Sequence, residues 1–185
     1  MLTCVQADVT DQSSVQDLFQ KVVTQCGRVD ILLNIVGAFR AGNDISNMKE
    51  SDWDFMMNVN LRSAFMCSKA ALQHMIKQNY GRIVSISSRT AVEKRFRNKS
   101  GAYAISKMGI IVLTETIAEE CRKYEVNANC IIPSTIDTPD NRRSMPDADF
   151  SKWVKPEEVA KVILFLVSEE SKAISGASIP VYGKA

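Results

Sequence analysis

The sequence predicts an α/β domain built on a mostly parallel sheet. Two observations carry this. Short β-branched or apolar runs, as at 31–36 and 82–87, alternate along the chain with longer segments whose apolar residues recur three and four apart. The run at 31–36 is also continuous rather than alternating, which suits a strand covered on both faces by helices.

In order, 2–7 reads as a short strand. Val15, Leu18, Phe19, Val22 and Val23 fall at helical spacing behind a Ser/Asp-rich start, giving an amphipathic helix over 13–25. A buried strand follows at 31–36 and a long helix at 51–77. Residues 82–87 form a strand, 103–124 a second long helix and 126–132 the next strand. Pro156 suits a first helical position and opens a helix to about residue 168. A last strand covers 178–182. There is no internal repeat, low-complexity tract or interdomain linker, so residues 1–185 read as a single domain.

Length and composition bound the class. A chain of 185 residues, 45% hydrophobic and 24% charged, can bury a sizeable core and is ordinary for a soluble protein. A net charge of +2 gives no argument for a nucleic-acid partner. The absence of an uncharged apolar stretch near ~20 residues argues against a membrane one. The first residues lack the layout of a signal peptide. Five scattered cysteines without a Cys-x-x-Cys pair read as free thiols in a reducing cytoplasm. With one histidine, His74, and no clustered cysteines, no metal site is expected.

The chemistry gathers at Gly101-Ala-Tyr-Ala-Ile-Ser-Lys107. Tyr103 and Lys107 are four apart and share a helix face. A tyrosine hydroxyl titrates near ~10 in water. A fixed positive charge beside it favours the phenolate, so the pair is expected to give an acid or base usable near neutral pH. Around it stand, in order, Asp8-Val9, Asp30-Ile-Leu-Leu-Asn-Ile-Val-Gly37, Asn58-Val-Asn60-Leu, Gly81-Arg-Ile-Val-Ser-Ile-Ser-Ser88 and Ile132-Pro133-Ser-Thr-Ile136-Asp-Thr138. No Gly-x-Ser-x-Gly elbow supports a serine hydrolase.

This ordered set, from Leu2 to Tyr182, resembles the short-chain dehydrogenase/reductase family, of the 3-oxoacyl-carrier-protein reductase type. The segment 137–153 is similar to the lid of dihydropteridine reductases. The family opens with a strand and a Thr-Gly-x-x-x-Gly-x-Gly turn that cradles the cofactor pyrophosphate, and the sequence contains neither. The resemblance therefore implies a Rossmann-like doubly wound parallel sheet that is incomplete, with the first two strands and the glycine-rich turn absent. Residues 1–185 would be a single partial domain, N-terminally truncated, and the strand at 31–36 would become an open edge.

By resemblance the activity is an NAD(P)-dependent oxidoreductase that moves hydride between NAD or NADP and a small carbonyl or alcohol. Asn60, Ser88, Tyr103 and Lys107 would form the catalytic tetrad, with Tyr103 as general acid/base. Asn58 competes with Asn60. Ser85 and Ser87 compete with Ser88, which lies just past the strand end where α/β sheets expose catalytic groups. Cofactor contacts would come from Asp8 and Val9 at the adenine, from Asn34 and Gly37 at its ribose, and from Pro133, Ile136 and Thr138 near the nicotinamide, besides Tyr103 and Lys107.

Three further readings accompany it. The basic loop 89–99 is a solvated surface loop in preference to an anion trap, and of Arg142 and Arg143, which could grip an anion, at least one is solvated or packed on acidic neighbours. The two long helices, with Ala64, Ala70, Ala71, Met108 and Ile111, would pair with a second copy in a homo-oligomeric dimer or tetramer. The alternative function is a catalytically inactive fragment or non-enzymatic subunit lacking the pyrophosphate-binding turn.

Overall fold

The computed structural model describes residues 3–184. Its sheet has four parallel strands in the order β1 (Ile31–Asn34), β2 (Gly81–Ile86), β3 (Val126–Pro133) and β4 (Ser178–Val181). Both faces are covered. On one face Ile83 and Ala128 meet α1 (Gln12–Cys26), α3 (Ser63–Met75) and α5 (Gly101–Glu120) through Val15, Phe19, Cys67, Ala71 and Ile117. On the other face Val84 and Ile131 meet α7 (Pro156–Val167) through Val159 and Leu166. Neighbouring residues of one strand thus point to opposite cores, as the two-residue strand period requires. This is the Rossmann-like, doubly covered parallel arrangement.

Local chemistry sets the helix ends. Asp11 caps α1 by accepting from the Ser14 backbone N–H at 2.7 Å, and Gly27 closes it in the left-handed region, its N–H returning to Val23 O at 2.8 Å. Pro156 opens α7, where the Glu158 carboxylate accepts from the Lys155 N–H at 2.8 Å. α5 is long and apolar enough by length and composition to cross a membrane, yet half of that stretch is buried inside the fold, as befits a core helix.

The structure departs from expectation in three places. Residues 3–7 pair with no strand among the described residues, and Leu2 lies outside them. A strand exists through its ladder, and the free edge of β1 is not bonded to this segment. The long helix at 51–77 is three pieces, α2 (Glu50–Met56), a π-helical turn (Met57–Arg62) and α3. Residues 89–99 are not a plain loop, for they hold α4 (Arg89–Val92) and a 3₁₀ turn (Lys94–Phe96), and the lid contains α6 (Pro139–Ser144). β1 is an edge strand, as anticipated. Its apolar residues Ile31 and Leu33 are exposed, with Ile35 and Val36 beyond it more than half exposed.

Candidate active site

The site forms where β1 and β2 end and the first turn of α5 begins. Three serines lie on or after β2, and the fold distinguishes them. Ser85 accepts from Asn34 Nδ2 at 3.1 Å, and Ser87 donates to Lys107 O at 2.7 Å, so both tie the strand to its neighbours. Ser88 stands one residue on, half-buried, as the N-cap of α4, accepting weakly from the Thr90 N–H at 3.3 Å. It also lies beside the Tyr103 hydroxyl.

Asn60 sits on the π turn and is 1% exposed. Such a turn inserts a residue into the helical ladder and is frequent at functional sites. The Asn60 amide clamps the backbone of Ala38, accepting from its N–H at 2.9 Å and donating to its carbonyl at 3.1 Å. It also donates to Ser106 Oγ at 3.1 Å, and Ser106 donates to Tyr103 O at 2.8 Å. Loop, π turn and α5 are thereby joined through one side chain.

Lys107 is 5% exposed, and its Nζ donates to Ile86 O at 2.9 Å. An ammonium has three donors. Gly37 faces it closely, since a Cβ there would lie 2.9 Å from Asn60 Oδ1 and 3.1 Å from Lys107 Nζ. Only a residue without a side chain lets the backbone come this close to both groups. Burial draws the Lys107 amine down to about 8, against a small opposing pull from Cys130.

Tyr103 departs from expectation. Burial raises its phenol above the ordinary tyrosine value, the Ser88 hydroxyl only partly offsets this, and no depression from Lys107 accompanies it. The ammonium is bonded back to Ile86 O, and desolvation dominates. The phenol therefore stays protonated at neutral pH.

The remaining predicted contacts divide. Asp8 accepts from the N–H and hydroxyl of Thr10 at 2.8 and 2.6 Å, which lowers its pKa, while Val9 packs against the core under α1. Asn34 gives both amide donors to the protein, to Ser68 and Ser85 at 3.1 Å each, so its side chain serves the fold. Pro133 ends β3 at the same rim as Ser88. Ile136 pairs with Val154, and Thr138 caps α6 by accepting from Asn141 N at 3.2 Å, so both shape the start of the lid.

The basic charges are largely engaged within the fold. Arg89 lies between the rings of Phe96 and Tyr182, 4.8 and 4.6 Å from their centroids, and pairs with Glu93 at 2.6 Å. Arg97 donates to the Ala91 and Thr90 carbonyls. Arg142 holds Asp137 through two bonds of 2.6 and 2.8 Å, and Arg143 pairs with Asp140. Two residues at the site escaped the sequence reading. Phe39 places its ring 4.8 Å from that of Tyr103, edge to face, and Ser106 bridges Asn60 to Tyr103. Proximity in sequence, Phe39 to Gly37 and Ser106 to Lys107, was the available signal.

This geometry meets known proteins closely. The family model described as enoyl-(acyl carrier protein) reductase matches residues 2–183. The chain is 36% identical over 185 residues to the 3-oxoacyl-[acyl-carrier-protein] reductase FabG of Thermotoga maritima, covering 95% of this chain and 74% of that protein. It is 32% identical over 188 residues to the 2-dehydro-3-deoxy-D-gluconate 5-dehydrogenase of Escherichia coli, covering 96% of this chain and 73% of that one. Among solved structures, ElxO with NADP bound superposes with a TM-score of 0.91 at 30% identity, covering 98% of this chain and 77% of that chain. The motifs, the parallel sheet and these relatives agree, and the chain belongs to the short-chain dehydrogenase/reductase family.

Proposed function

We propose that the chain acts as an NAD- or NADP-dependent oxidoreductase on a small carbonyl or alcohol, with Tyr103 as the proton donor and acceptor. The observation that carries this is the close approach of the Gly37 backbone to a buried amide and a buried ammonium, which a Cβ there would meet at 2.9 and 3.1 Å. The two Lys107 donors not directed at Ile86 O suit the hydroxyls of a cofactor ribose. The NADP-bound relative supports the same group here. When bound, a nicotinamide cofactor supplies or accepts the hydride.

The chain's own residues handle the proton and the charge. In the reductive direction the Tyr103 O–H, kept protonated by burial, donates to the substrate oxygen as negative charge builds there. Ser88, beside that phenol, offers a second donor to the same oxygen. Lys107, with a pKa of about 8 and so mostly charged at neutral pH, keeps a buried positive charge anchored on Ile86 O, where it would hold the cofactor ribose. Asn60 fixes Ala38, and with it the neighbouring backbone at Gly37, relative to α5.

Homo-oligomerisation is part of the proposal, and of the residues singled out in the sequence only Ala70 and Met108 are partly exposed for it. Ala64, Ala71 and Ile111 are buried within the chain's own core, while Phe65, Ile105 and Val112 form the outward apolar surface of α3 and α5. A second reading, a catalytically inactive chain or non-enzymatic subunit, draws on the exposed apolar edge of β1.

The test is to titrate NADH and NADPH by nicotinamide fluorescence and then follow reduction of ethyl acetoacetate by loss of nicotinamide absorbance. Tyr103→Phe should lower turnover by roughly 10²–10⁴-fold, the usual scale for a positioned acid, with cofactor affinity nearly kept. Retained turnover in that variant would refute the role of Tyr103. Absence of binding to a folded chain would favour the second reading.

A further inference from the structure

The loop after β1 is fixed more firmly than its lack of regular structure suggests. Ala38 is clamped at both backbone groups by Asn60. Arg40 lies 3.6 Å over the Phe55 ring and pairs with Asp52 at 2.8 Å. The Gly42 N–H donates to Lys99 O at 2.8 Å. Between these anchors Phe39 is 63% exposed, with its ring set edge to face against Tyr103.

An isolated exposed apolar side chain is ordinary. An aromatic ring held by anchored backbone against the reactive phenol, with most of its surface still open, is a different case. Ligand sites combine apolar walls with a few polar groups that fix the reacting atom. Tyr103 and Ser88 supply those polar groups, and Phe39 supplies an apolar wall left 63% exposed among the described residues.

We propose that Phe39 forms the aromatic wall of the substrate site and selects compounds that carry a flat or apolar group on the reacting carbon. This rests on the oxidoreductase reading for the identity of the reacting carbon. The stacking itself needs only the loop and the phenol. A substrate placing its carbonyl oxygen at Tyr103 brings one substituent of that carbon toward the Phe39 ring. An aryl group there gains an offset or edge-to-face contact, whereas a methyl group leaves most of the ring wet.

Two 3-oxo esters that differ only at that substituent serve as probes, ethyl benzoylacetate with a phenyl group and ethyl acetoacetate with a methyl group. Their binding to the intact chain is measured by ligand-observed saturation-transfer NMR for wild type, Phe39→Ala and Phe39→Trp, with NADPH titrated into the same samples. The expected result is that Phe39→Ala weakens the phenyl ester about tenfold relative to the methyl ester, the scale of one good aromatic pair, and that Phe39→Trp restores the preference. Equal weakening of both esters, no weakening, or no binding of the phenyl ester by wild type overturns the proposal. If NADPH fails to bind while the phenyl preference still depends on Phe39, the oxidoreductase reading fails and the role of Phe39 stands. If NADPH binds and the preference ignores Phe39, the reverse holds.

Discussion

Lys107 gives the sharpest physical test of the site. Its amine is 5% exposed and lowered from an ordinary 10.5 to about 8, chiefly by burial. Because the folded pKa lies below the unfolded one, the unfolded chain binds more protons between these values, and stability must rise with pH across that window. The contribution is complete above the unfolded pKa and is lost as pH falls through about 8. At about 1.36 kcal/mol per unit, the full effect is about 3 kcal/mol, of which about 2 kcal/mol is recovered between about pH 7 and about pH 9.5. Other groups titrate nearby and oppose it, since the buried thiols of Cys67, Cys121 and Cys130 and the Tyr103 phenol are raised and stabilise less as pH climbs. The quantity to measure is therefore the difference between wild type and Lys107→Met, taken from urea unfolding followed by Trp53 and Trp153 fluorescence at several pH values. Wild type should gain about 2 kcal/mol on the variant over that range, a shift of roughly 4–8 °C in Tm for a chain of this size. A difference flat to within about 0.5 kcal/mol would mean a solvated ammonium, and the closed geometry of Gly37, Asn60 and Lys107 would be wrong.

Two further outcomes follow from named contacts. Asn60→Ala removes both partners of the Ala38 backbone and should cost about 1–3 kcal/mol, read by thermal unfolding, because a part-buried donor and acceptor are left unmatched; an unchanged Tm would show that water replaces the amide freely. Leu33→Lys places a charge on the exposed side of the edge strand and should shift size-exclusion elution from large aggregates toward a discrete species with little loss of stability. An identical elution profile would exonerate that edge.

What the sequence revealed and what it concealed divide along a physical line. Element type was legible because the apolar period is local, and α1, α7 and the buried strands needed nothing more. The π turn was hidden because an inserted residue leaves the apolar stripe on either side almost unchanged, so 51–77 read as one helix. Counting along a strand prefers Ser88 over Ser87, whereas the bond from Ser87 to Lys107 O is a tertiary contact that such counting does not reach. Asn34 could not be judged so, for its partners Ser68 and Ser85 are distant in the chain. The direction of the Tyr103 shift went wrong for the same reason. Charge spacing on a helix is local, whereas desolvation depends on Phe39 and the packed surroundings. The arginines of 89–99 likewise looked free until Phe96, Tyr182, Glu93 and two carbonyls were found around them.

The relation between Asn60 and Lys107 shows how little of a site needs to be polar to be specified. The residue after Asn60, Leu61, packs against α5 at Gly109, where a Cβ would stand only 2.6 Å from the Leu61 side chain. The π turn can therefore lie close to α5 only because that helix lacks a side chain at this point. The extra residue of the turn then directs Asn60 inward to Ser106 and Ala38, and the Ser63 hydroxyl satisfies the Val59 carbonyl at 2.7 Å. Gly37 completes the arrangement from the opposite side, since without a side chain its backbone can approach both Asn60 and Lys107. Two glycines, a leucine and an irregular helical turn thus determine the distance between the polar groups. Exchanging the polar residues would change the chemistry of the site, whereas filling either glycine would change its shape.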